Sequence, residues 1–154
     1  MEFVVHELDV TASTNADARA GRPGDVFVAR RQTAGRGRLG HAWASEPGLD
    51  LAMSAVFSAE GLPPEAAATF PLAVGLAVAE ALARLLPPSA DVKVKWPNDV
   101  WAAGRKIAGI LCERHGDALI AGVGVNVGRT AFPAEFAARS TSCALLEGGD
   151  GLSA

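Results

Sequence analysis

Cysteine is scarce in this chain. Its 154 residues include two, Cys112 and Cys143, too few and too widely spaced for a zinc framework or a disulfide scaffold. A reducing, cytoplasmic setting is therefore expected. Histidine is nearly as sparse, and His6, His41 and His115 share no spacing that suggests metal ligation. No basic, apolar leader opens the chain, because Met1-Glu2-Phe3-Val4-Val5 runs straight into Glu7 and Asp9, so no signal peptide is read. Long hydrophobic runs are missing as well. The longest uncharged stretch, residues 66–79, is interrupted by Pro71 and Gly75 and falls short of the roughly 18 apolar residues that span a bilayer. No membrane anchor is expected. Nor is there an excess of positive charge: a formal net charge of -3 argues against nucleic-acid binding by the chain as a whole.

What is present suffices for one compact domain. A chain of roughly 150 residues buries about 68 to 70% of the surface its unfolded state exposes, so a core forms without staples. The positive charge is local. Residues 26–45 contain no Asp or Glu, yet hold Arg30, Arg31, Arg36 and Arg38 beside a cluster of glycines.

Strands are expected over residues 3–8, 25–31 and 51–57. Ser13-Thr14-Asn15 offers N-cap chemistry for a short helix over 16–20, stopped by Gly21. Residues 32–47 show neither helical nor strand period and are expected to form a loop, long enough to suggest function. After Pro63-Pro64, residues 65–86 are rich in Ala and Leu and read as the one long helix, packed on the sheet along more than one side. Residues 92–96, 100–101, 106–114 and 118–127 then follow one another with turn chemistry between them, as an antiparallel meander does. A weak helix over 133–139 and an apolar run over 143–146 precede a glycine-rich end. The whole reads as α+β, a mixed, mainly antiparallel sheet with helices packed on one face.

Gly35-Arg36-Gly37-Arg38-Leu39-Gly40 matches the letters of a dinucleotide-binding motif. That motif needs a helix opened by its last glycine, and His41-Ala42-Trp43-Ala44-Ser45-Glu46-Pro47 cannot supply one. The segment instead offers free backbone N–H groups and guanidinium forks at alternate positions, suited to a carboxylate or phosphate. Lys95 and Lys106 sit on strands otherwise made of apolar residues and glycine. Gly109, Gly122 and Gly124 lie within strands, where glycine often marks the close approach of a ligand. Cys112, in an apolar strand, reads as an inert packed thiol. Asp99, in Pro97-Asn98-Asp99, reads as a turn residue with the option of binding Mg²⁺ beside a nucleotide.

Ser13-Thr14-Asn15, the segment from Gln32 to Gly40 with Trp43, Lys95-Trp96-Pro97-Asn98-Asp99-Val100, Arg105-Lys106-Ile107-Ala108-Gly109-Ile110-Leu111 with Glu113, and Gly122-Val123-Gly124-Val125-Asn126-Val127 together resemble the catalytic core of biotin protein ligases. The resemblance runs over about residues 8–147. It implies a class II synthetase-like fold shared with lipoate ligases. It also implies an enzyme that joins biotin to ATP as biotinoyl-5′-AMP and then transfers biotin to a lysine of a biotin carboxyl carrier domain, as in acetyl-CoA carboxylase. Carried over from the family, Ser13, Thr14, Asn15 and Gln32 bind the biotin head group, and Arg36, Gly37 and Arg38 fold over carboxylate and phosphate. Lys106 bridges the two and, with Arg38, is the expected catalytic group. Trp43, Asn98, Asp99 and Asn126 fall to the nucleotide, Asp99 with Mg²⁺.

Some features depart from the family pattern. His41 stands where the family motif often has arginine, weakening one phosphate contact at neutral pH. Residues 1–154 are expected to be a single catalytic domain, without an N-terminal DNA-binding domain, closing helix or C-terminal β-barrel, and hence without a DNA role. Exposed sheet edges are compatible with a monomer or a weak homodimer. The alternatives are a lipoate or octanoate ligase or transferase of the same fold, and a biotin-binding module without turnover.

Overall fold

The computed structural model describes residues 2–146. Seven strands form one sheet in the order β1-β2-β3-β7-β6-β5-β4. β1 (Val4–Thr11) and β2 (Asp25–Gln32) run parallel, and every other neighbouring pair is antiparallel. Parallel neighbours need a crossover of about a dozen residues, and α1 (Thr14–Ala18) lies in it. β3 (Asp50–Ser58) pairs with β7 (Ala118–Asn126) along its whole length. β4 (Lys93–Lys95), β5 (Asp99–Ala102), β6 (Arg105–His115) and β7 then form the expected meander. Left-handed backbone at Ala103 and Gly104 closes the β5–β6 turn and at Gly116 the β6–β7 turn, as two-residue hairpin loops require.

The α+β class and the mixed sheet are as expected, but the helices divide between the faces. α2 (Pro64–Leu85) packs where a Cβ added to Gly75 would meet Val94 and Ile110 at 3.4–3.5 Å. α1 lies on the opposite face, because Asn15 rests against Gly122, whose bare backbone leaves room for it. α2 also does not pack on more than one side. Gly75, Ala79 and Leu82 are buried, while Leu72, Leu76 and Leu85 are exposed, so a single stripe meets the sheet.

Pro71 does not interrupt α2, which runs through both it and Gly75. The 21 residues Glu65–Leu85, which include an 18-residue window of mean hydropathy 1.7, are therefore long and apolar enough to cross a membrane by length and composition alone. This corrects the expectation that no such segment exists. α3 (Ala134–Ala137) falls within the weak helix foreseen there, and α4 (Cys143–Leu146) turns the last apolar run into helix. The glycine-rich end after Leu146 lies outside the described residues. The main core gathers Val100, Ile107, Ala108 and Ile110 of the meander with Leu82 and Leu86. Truncating a fully buried isoleucine to alanine there costs about 2–5 kcal/mol.

Candidate functional site

One corner of the sheet is a closed polar network. Ser13 takes the N-cap position of α1 without a side-chain cap; its carbonyl accepts the N–H of Ala16 and Asp17 instead. Thr14 and Asn15 thus fall in the first helical turn and face the sheet. Gln32 Oε1 accepts from the Thr14 N–H at 2.9 Å and lies 3.2 Å from its hydroxyl. The fully buried Ser54 hydroxyl lies 2.7 Å from Thr14 Oγ1 and 2.6 Å from Asn15 Oδ1. An amide oxygen only accepts, so Ser54 donates to Asn15.

Asn15, 4% exposed, spends its Nδ2 hydrogens on Glu113 Oε2 at 2.7 Å and the Leu111 carbonyl at 3.2 Å. Glu113 also accepts from Arg19 at 3.0 Å and faces Arg36 at 3.6 Å. Burial works against its charge, but donation from Asn15 and Arg19 and the charges of Arg36 and Arg19 outweigh it and hold the carboxyl below its ordinary range.

Beyond this corner the expected loop is a small folded hairpin. The Trp43 N–H donates to the Gly35 carbonyl, Arg36 bridges Ala42, and the Gly37 N–H donates to the His41 carbonyl. A Cβ at Gly35 would sit 2.4 Å from the Trp43 carbonyl, so only glycine permits this closure. The tip, Arg38–Gly40, carries Leu39 with φ 56° and 88% exposed. The indole of Trp43 lies on Gly109 and Gly124, where added Cβ atoms would come within 2.8 and 2.3 Å of it. The strand glycines were expected to admit a ligand. They line the cleft, and Trp43 and Asn15 lie against them.

The far end of the hairpin is anchored by a buried ion pair. Arg129 Nε donates to both oxygens of Asp50 at 2.9 and 2.7 Å, and its Nη2 reaches the Ala44 carbonyl at 2.7 Å. Asp50 also accepts the Glu46 N–H, and the Ser142 hydroxyl donates to the Arg129 carbonyl.

Between corner and hairpin opens a cleft of about 780 Å³. Arg36, Arg38, Lys95, Lys106 and Arg139 line it against two carboxylates, Asp99 and Glu135, so an acidic chain presents a cationic cleft. Lys106 Nζ lies 2.7 Å from Asp99 Oδ1 and 5.5 Å from the Trp43 ring. Lys95 lies over the Trp101 ring at 4.3 Å. Arg38 makes no ion pair among the described residues. Such an array suits a multiply charged anion.

Asp99, the residue expected to hold Mg²⁺ beside a nucleotide, borders the cleft, where Mg²⁺ would need only one or two carboxylates besides the phosphates. Asp99 pairs with Lys106, and no group of three His, Cys, Asp or Glu side chains that could hold a metal occurs among the described residues.

Ser13, Thr14, Asn15, Gln32, Arg36, Gly37, Arg38, Trp43, Asn98, Asp99 and Lys106 all border this one cleft. Asn126 does not. It is buried, and its Nδ2 donates to the Thr141 carbonyl at 2.9 Å. Asn98 donates to the Ile110 carbonyl at 3.0 Å, which makes it a strand fastener as well. Sequence reasoning gave no role to Ser54, Glu113, Asp50 or Arg129; of these, Glu113 stood within a recognised motif. Burial pushes the Cys112 thiol up to about 12, the direction a packed thiol takes.

The profile of the biotin/lipoate A/B protein ligase family matches residues 9–129. A biotin acetyl-CoA-carboxylase ligase of Mycobacterium tuberculosis is 42% identical over 146 residues, covering 88% of this chain and 54% of its own length. The chain thus spans about half of that relative. Among solved structures, the biotin protein ligase of Aquifex aeolicus in complex with biotin and ATP superimposes with a TM-score of 0.83 at 34% identity, over 96% of this chain and 62% of that one. The Leishmania major biotin protein ligase in complex with biotinyl-5-AMP gives 0.80 at 30% identity, over 94% and 64%.

Proposed function

Because the chain belongs to the biotin/lipoate A/B protein ligase family, we propose that its cleft activates biotin with ATP and passes the acyl group to a lysine of a biotin carboxyl carrier domain. In the first step a carboxylate oxygen of biotin attacks the α-phosphorus, the bond to the β-phosphate oxygen breaks, and pyrophosphate leaves. In the second, a lysine amine attacks the acyl carbon of biotinoyl-5′-AMP, AMP departs with the bridging oxygen, and the amine loses a proton.

The observation that carries this reading is Lys106 beside the arginine hairpin, facing a closed corner of amide and hydroxyl groups in the same cleft. Attack of one anion on another needs concentrated positive charge where the two meet, and Arg36, Arg38 and Lys106 supply it. Gln32 and Thr14, with Ser13 beside them, suit the ureido group of biotin, whose carbonyl accepts and whose N–H groups donate. Lys106 would exchange Asp99 for the reacting carboxylate and α-phosphate. No thiol or imidazole is required, since the acceptor amine is itself the nucleophile. Trp43, whose ring lies 5.5 Å from Lys106 Nζ, would cover the nucleotide beside it. A cytoplasmic location accords with the scarcity of cysteine.

The test is biotin-dependent exchange of labelled pyrophosphate into ATP, with lipoate and octanoate as parallel acids. Exchange with biotin alone is expected. Exchange with lipoate or octanoate alone would move the chain to the other branch of the family. Biotin binding by calorimetry without exchange would make it a binding module.

A further inference from the structure

We propose that Glu113 is a positioning residue that ties the head-group corner to the arginine hairpin, so that the two are held in register before substrate arrives. The proposal deepens the biotin-activating reading and rests on it for its kinetic consequence.

Glu113 stands outside the lining of the main cleft, on β6. Its carboxylate nevertheless touches both halves of the site. One oxygen accepts from Asn15 at 2.7 Å and faces Arg36 at 3.6 Å; the other accepts from Arg19 at 3.0 Å. The bond to Asn15 decides which way that amide points, because only Nδ2 can donate to a carboxylate. With Nδ2 turned to Glu113 and Leu111, Oδ1 must face Ser54, and Ser54 is then oriented against Thr14. Thr14 in turn meets Gln32. Glu113, with the Leu111 carbonyl, thereby sets the donor and acceptor order from Asn15 through Ser54 to Thr14.

The same oxygen faces Arg36, whose backbone bridges Ala42 in the hairpin. Arg36 sits four residues after Gln32, so both ends of that short segment are fixed, one through the corner and one through the guanidinium. A carboxylate can hold an amide N–H and a guanidinium at once because it only accepts, with several lone-pair sites. A carboxamide offers one accepting oxygen and one donating nitrogen, and the donor is repelled by whichever partner it meets.

Glu113→Gln is the test, with two readouts. The first is independent of substrate: the side-chain N–H resonances of Asn15 and Arg36 in the intact chain. They are expected to shift and to exchange with solvent at least tenfold faster in Glu113→Gln. The second is the kinetic split in pyrophosphate exchange, where the KM for biotin is expected to rise about tenfold while the KM for ATP stays within twofold. Glu113→Asp, one methylene shorter but still accepting only, is expected to recover part of the biotin KM.

Unchanged Asn15 and Arg36 resonances in Glu113→Gln would overturn the proposal. So would equal rises in both KM values, or a lowered melting temperature with the biotin KM unmoved, which is what a merely structural carboxylate would give. If the parent chain shows no exchange, the functional reading fails, and the resonances still decide whether Glu113 holds the two groups.

Discussion

The two ends of the cleft are built on opposite plans. In the corner formed by α1, β2, β3 and β7, polar groups are paired with one another and shut away from water; Ser54, Thr14 and Asn15 are all buried. At the hairpin tip, Arg38 and Leu39 stand in solvent, and the buried Trp43 Nε1 has no hydrogen-bond partner. A preassembled corner selects a small neutral head group at little entropic cost. A cationic tip left without partners can close on charge that arrives later. Under the proposed function the two ends would divide recognition from reaction.

Breaking the reactive end should have the largest effect. Lys106→Ala or Arg38→Ala is expected to slow pyrophosphate exchange by about 10²-fold or more, the usual result of losing one preorganised donor; a rate near that of the parent would reject the assigned role. Next comes a change that spoils the corner sterically. A Cβ at Gly122 would lie 2.1 Å from Asn15 Oδ1 and 2.9 Å from the Leu111 carbonyl. Gly122→Ala should therefore cost about 1–3 kcal/mol in chemical denaturation and weaken biotin binding. A full-strength calorimetric titration of that variant would show that the corner does not select.

Ser54→Ala sharpens the comparison further. It removes the donor to Asn15 Oδ1 in a buried place, where an unsatisfied polar group costs about 1–3 kcal/mol. The effect should appear in the denaturation midpoint more than in turnover.

A smaller effect is expected from acid. The Glu113 carboxyl is held below its ordinary value of 4.5, so its stabilising contribution is complete above that value and is lost as pH falls through the lower folded one. The stability gap between the parent and Glu113→Gln should shrink below pH 4.5; a gap constant with pH would contradict the pairing. The smallest effect is at Cys112, whose thiol near 12 should resist alkylation at pH 8, as mass spectrometry would reveal.

The meander of β4 to β7 was legible because its turns announce themselves: Ala103-Gly104 and Gly116-Asp117 fall between strands with a clear period. The parallel pairing of β1 with β2 was not, since a five-residue helix carries little periodic signal. The motifs led to most of the cleft, but not to the reason for its glycines. Sequence marks where a side chain is absent and does not reveal which side chains lie against the bare backbone; at Gly109, Gly122 and Gly124 they are Trp43 and Asn15. The Asp50–Arg129 pair went unread because its members are 79 residues apart and neither belongs to a local pattern. Asn126 shows the converse. It stands within a recognisable motif, and its amide is used to fasten β7 to Thr141.

The resting place of Trp43 also makes the molecule its own optical probe. The chain has no tyrosine and three tryptophans. Trp43 and Trp101 border the main cleft, and Trp96 lines the groove beyond the hairpin tip. Nearly all near-ultraviolet absorbance and emission therefore arises where ligands are expected, with no background from distant chromophores. Occupancy of the cleft can be followed by intrinsic fluorescence, without a label and without turnover.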